Sequence, residues 1–109
     1  MDISFSDDTL FDLCNRHRSA VRRFGVESAK KLSARLADIQ AAARLSEVVA
    51  GKPHPLKVDR REQFSLRLHG GARLVLEADG AVVPRGVTGD IDWPNVTAVR
   101  VVYIGDYHD

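Results

Sequence analysis

A chain of 109 residues can build one hydrophobic core but not two, so residues 1–109 are expected to form a single domain. With 44% apolar and 28% charged residues the composition excludes a disordered chain, and no apolar run approaches the roughly 20 residues that cross a bilayer. The net charge of +1 hides an asymmetry: residues 16–61 carry twelve Lys/Arg against four Asp/Glu, and residues 62–109 carry four against seven.

The start, "MDISFSDD", is acidic and has no signal-peptide core, and the single Cys14 cannot form an internal disulfide. A reducing cytoplasm is the expected setting, with no membrane contact. "ISFS" alternates apolar and polar residues and predicts a short strand over 2–5. "SDD" then caps a helix from about Asp7 to His17, and "RFG" breaks the chain. From Glu27, the residues Ala29, Leu32, Leu36, Ile39 and Ala43 recur at spacings of three and four, one stripe of an amphipathic helix. "RLSEVVAG" ends the helical part at Gly51.

Beyond Gly51 the period changes from 3.6 to 2. "QFSLRLHGGARLVLEADG" reads as two strands, "AVV" as a possible third, and "VTAVRVVYIG" as a strand buried on both faces. The expected fold is α+β, a short N-terminal strand and two helices packed on one face of a small antiparallel sheet. A three-residue loop over 69–71 pairs 68 with 72, 66 with 74 and 64 with 76, which unites Phe64, Leu66, Leu74 and Leu76 on one face. The same register sets Arg67 across from Arg73 on the other face. Like charges opposed across strands destabilise a sheet, unless an anion such as phosphate sits between them.

"KPHPLK" places His54 between two prolines, which favours an extended, polyproline-like backbone. With three residues per turn that conformation aligns His54 with Lys57. The Cys and His spacing fits no zinc site, no Gly-rich loop joins a strand to a helix, and the carboxylates are scattered. No metal or cofactor is expected. Imidazole, guanidinium and ammonium groups remain, a set suited to metal-independent RNA cleavage. That reaction needs a base for the ribose 2′-OH, an acid for the departing 5′-oxygen and cations for the pentavalent phosphorus.

Taken together, "HPLK", the arginine opening the second hairpin strand and the terminal "DYH" resemble the HigB branch of the RelE/ParE toxin superfamily of type II toxin–antitoxin modules. The resemblance covers about Lys52 to His108 together with the strand–helix–helix layout before it. It implies a small α+β toxin that cleaves mRNA in the A site of the ribosome and is neutralised by a HigA-like helix-turn-helix antitoxin. It also implies a catalytic set of His54, Lys57, Arg73, Asp106, Tyr107 and His108, and leaves open which of the two histidines is the acid and which the base. Arg60, Arg61 and Arg67 are expected to touch RNA, as are Arg22, Arg23, Lys30, Lys31 and Arg35 on the basic helices. Ala72 stands where relatives often have an aromatic residue, and Val58 where a glycine is common. Two other functions fit the same fold: a toxin that blocks gyrase without catalysis, and a non-toxic paralogue that binds antitoxin and operator DNA.

Overall fold

The computed structural model describes residues 1–57 and 62–106. Arg60, Arg61, Tyr107 and His108, all expected at the site, lie outside the described residues. The fold begins with β1 (Asp2–Phe5). Asp7 follows in an extended conformation, and its carboxylate accepts the backbone N–H of Leu10 at 2.8 Å, which starts α1 (Asp8–Asn15) as an N-cap does. This helix ends earlier than the sequence suggests. Arg16 is extended (φ −125°, ψ 103°) and a further helix, α2 (His17–Phe24), begins at once. The layer therefore holds three helices, not two.

Gly25 separates α2 from α3 (Val26–Ala41) with φ 88°, a left-handed value that residues with a β-carbon avoid. That is the physical content of the "RFG" break. In α3 the residues Ala29, Leu32 and Ile39 are buried and Leu36 is half-buried, as the stripe predicts. The helix closes at Ala41, so it is Ala42, not Ala43, that joins the core. A single 3-10 turn, Leu45–Glu47, completes the helical part.

The remaining strands are β2 (His54–Pro55), β3 (Phe64–Arg67), β4 (Ala72–Ala78) and β5 (Ala98–Asp106), and the sheet order is β1-β5-β4-β3-β2. The β2, β3, β4 and β5 neighbours are antiparallel, whereas β1 runs parallel to β5. The hairpin has the expected register: Leu68 N–H donates to the Ala72 carbonyl at 3.0 Å, and Phe64, Leu66 and Arg67 face Leu76, Leu74 and Arg73. Between Val75 and Leu76 the β4–β5 register shifts by one residue, leaving Val102 as the extra residue of β5.

Leu66, Leu74, Leu76, Val99 and Val101 are fully buried against Leu32 and Ile39 of α3. The expectation that β5 is buried on both faces fails, because Ala98, Arg100, Val102 and Tyr103 are only half-buried. Residues 81–83 form no strand; β4, which they follow, already has β3 and β5 as its two neighbours. The connection they belong to is tied down by Trp93, whose ring lies 5.0 Å from that of Phe64. Among the described residues no helix is long and apolar enough to cross a membrane.

Leu74→Ala is expected to cost about 3 kcal/mol of stability, the usual toll of an unfilled core cavity, read from urea unfolding. Burial pushes the Cys14 thiol up to about 12. Alkylation of the folded protein near pH 8 should therefore be slow and should accelerate in denaturant; equal rates would mean that the thiol is open to solvent.

Candidate functional site

His54 is delivered by a tight turn. Gly51 (φ 89°) and Lys52 (φ 48°) are both left-handed, and the Gly51 carbonyl accepts the backbone N–H of Arg67 at 2.7 Å. The Lys52 carbonyl lies 2.8 Å from His54 Nδ1. A carbonyl only accepts, so Nδ1 carries the proton and, in the neutral ring, Nε2 is left as the acceptor. His54 and Pro55 then pair with Ser65 and Phe64 as an edge strand, a position where proline is tolerated. This strand replaces the polyproline-like stretch expected from "KPHPLK". Its period of two does not align His54 with Lys57, which is exposed beyond the buried Leu56.

Alternation along β3, β4 and β5 places Ser65, Arg67, Arg73, Val75, Tyr103 and Gly105 on the side of the sheet away from the helices. His54, directly opposite Ser65, shares that side and stands about 7 Å, two residues along the strand, from the Arg67–Arg73 row. The structure thus brings His54, Arg67 and Arg73 together. Arg67 is exposed; Arg73 is half-buried, with Nη1 donating to the Ala72 carbonyl at 3.2 Å.

The charges on this face are divided. At one end Arg100 pairs with Glu77 (3.0 Å) and Arg85 with Glu62 (2.9 Å), around a cleft of about 590 Å³. Asp79 joins that end, its carboxyl held below the usual range first by the Ser4 hydroxyl at 2.7 Å and then by the Gly80 backbone N–H. At the other end, neither Arg67 nor Arg73 has an acidic partner among the described residues. Two guanidinium groups opposed without a counter-charge form a seat for an anion.

Asp106 is not at that seat. It pairs with Ala72 and alternates with Gly105, so its register belongs to the helix-packed side, and its carboxylate lies over Gly71, 2.6 Å from where a β-carbon would stand. The basic helix residues are also apart from His54. Arg22, Arg23, Lys30 and Lys31 are exposed on α2 and α3, in the layer behind the sheet. That layer meets the hairpin end of the sheet where the Ser28 hydroxyl donates to the His69 carbonyl at 3.4 Å. Arg35 is half-buried, and its Nε donates to the Arg67 carbonyl at 3.0 Å.

Two residues of the face escape the sequence reading. Ser65 is fully buried beside His54, and its hydroxyl has no hydrogen-bond partner among the described residues. Tyr103 lays its ring along Gly105, where a β-carbon would come within 2.8 Å of its hydroxyl oxygen, and donates that hydroxyl to the Asp106 carbonyl at 3.0 Å. The available signal was parity, since both sit at face-aligned positions once the hairpin register is fixed.

No family model and no curated protein sequence matches the chain. Solved structures do. A YoeB/ParE toxin from Agrobacterium tumefaciens is similar with a TM-score of 0.61 and 17% identity, over 99% of this chain and 100% of the other. A chain of a YoeB–YefM complex from Staphylococcus aureus is similar with a TM-score of 0.58 and 20% identity, over 100% of this chain and 98% of the other. A YoeB dimer from the same organism is similar to the same degree. The chain has the fold of YoeB/ParE-type toxins.

Proposed function

We propose that this protein is the toxin of a toxin–antitoxin pair and acts as a ribosome-dependent mRNA endonuclease in the cytoplasm. The observation that carries the reading is His54 standing beside an Arg67–Arg73 pair that has no acidic partner among the described residues, on the side of the sheet away from the helices. A scissile phosphate seated on that pair has its added negative charge offset as the phosphorus becomes pentavalent. His54 Nε2 takes the proton of the ribose 2′-OH, whose oxygen attacks the phosphorus. The bond to the 5′-oxygen breaks, and His108 supplies its proton. Lys57 adds positive charge, and Tyr107 orients a base of the substrate. Asp106 braces the hairpin loop from the other side, consistent with its carboxylate over Gly71.

The exposed Arg22, Arg23, Lys30 and Lys31 supply contacts to ribosomal RNA near the A site, together with Arg60 and Arg61 near the substrate. A HigA-like helix-turn-helix antitoxin is the proposed partner. Support for an antitoxin partner of some kind comes from the structurally similar chain that was solved in a YoeB–YefM complex.

Primer extension on a defined mRNA, translated in a cell-free system, tests the reading. Cuts at A-site codons are expected with the wild type, and His54→Ala and His108→Ala should each slow them by roughly 10² or more. Intact mRNA with arrested gyrase supercoiling would identify a non-enzymatic toxin instead, and intact mRNA with normal translation a regulatory paralogue. The anion seat has its own measurement. Arg67→Thr should raise the urea midpoint in phosphate-free buffer, because it removes a like-charge pair, and should reduce the stabilisation that inorganic phosphate gives the wild type. A variant that is less stable in both buffers would contradict the seat.

A further inference from the structure

Helical periodicity groups Arg35 with the solvent-facing cations of α3, but its side chain is engaged. Nε donates to the Arg67 carbonyl at 3.0 Å. Its stem lies against Gly51 so closely that a β-carbon there would come within 2.5 Å of Nε and 3.0 Å of Cδ. The Gly51 carbonyl in turn accepts the Arg67 N–H at 2.7 Å. One guanidinium therefore closes a unit in which Arg67 is held through both its backbone N–H and its carbonyl, and Gly51 is clamped between the two arginines.

The next residue, Lys52, keeps φ 48°, a conformation that costs a residue with a β-carbon on the order of 1 kcal/mol. Such strain persists where the surroundings over-determine the backbone. Here the Arg35–Gly51–Arg67 unit is the adjoining anchor, and the strained turn is what presents the Lys52 carbonyl to His54 Nδ1. Which ring nitrogen of a histidine holds the proton is set by the hydrogen bond the other makes.

We propose that Arg35 is a positioning residue for His54: by clamping Gly51 against Arg67 it holds the Gly51–Lys52 turn, which fixes the imidazole with Nδ1–H donated and Nε2 bare. The value of this for cleavage rests on the reading of His54 as the base; the tautomer itself does not depend on that reading. A side chain counted among the RNA contacts is thereby assigned to the preparation of the proton acceptor.

Ring-nitrogen NMR on the full, isotopically labelled chain, recorded at about pH 8, tests it. The signals of His54 are identified by their loss in His54→Gln. Wild type is expected to show a protonated Nδ1 and an unprotonated Nε2, and the reverse would overturn the proposal. Arg35→Lys keeps the charge but loses the planar guanidinium. It is expected to return His54 to a mixture of tautomers and to slow single-turnover mRNA cleavage about tenfold while leaving ribosome affinity unchanged. An unchanged tautomer in Arg35→Lys, whether or not ribosome binding weakens, would overturn the clamp. Gly51→Ala, whose β-carbon would press on Arg35 Nε, is expected to disturb the tautomer in the same way, which keeps the test open if the first variant folds poorly. A wild type that holds Nδ1–H but cuts no mRNA would sustain the clamp and defeat the endonuclease reading.

Discussion

The register of the β3–β4 hairpin is the constraint on which the rest depends. Because Leu68 pairs with Ala72 across a three-residue loop, Phe64, Leu66, Leu74 and Leu76 meet on one face. A shift of one residue would split that set between the core and the solvent. Burying each of these side chains contributes roughly 2 kcal/mol. Opposing two arginines on the other face costs about 0.5 kcal/mol, so the apolar set decides the register. The opposition of the two arginines is thus forced by the core: wherever the leucines pair this way, Arg67 and Arg73 must face each other.

The same hairpin explains what could be read in advance. Its period of two, its loop length and its Arg67–Arg73 pair were all legible, because strand alternation transmits a local pattern across neighbouring chains without further information. The break at Arg16 was not, since "NRH" contains neither glycine nor proline and nothing local distinguishes it from helix interior. The segment 81–83 has strand composition, but the β4 strand it follows is already flanked by β3 and β5, a fact that belongs to the sheet and not to the residues. The outward side of β5 likewise looked apolar, yet only its inward half is fully buried.

Site residues divide along the same line. His54, Arg67 and Arg73 came together because all three lie on paired strands. Lys57 was aligned with His54 by a polyproline-like period and Asp106 was placed by family pattern, and strand parity does not align the first with His54 or the second with Arg73. Arg35 escaped because its partner is a backbone carbonyl on another element, 32 residues away in sequence. The two ends of the sheet face differ for an equally non-local reason: Glu62, Glu77 and Asp79 lie beside Arg85 and Arg100, which leaves Arg67 and Arg73 with no acidic partner among the described residues.

The strand order carries a consequence for how the molecule is made. β5 sits between β1 and β4, so the second position in the sheet is filled by the last strand in the sequence. Until it arrives, β1 has no neighbour in the sheet and the helices have no Val99, Val101 or Ile104 to cover. Contacts between distant parts of a chain form late and slowly. During synthesis β1 and the helical layer must wait for β5 before the core can close. The core therefore closes only once β5 is present, and a chain cut short before β5 lacks the strand that joins β1 to the hairpin.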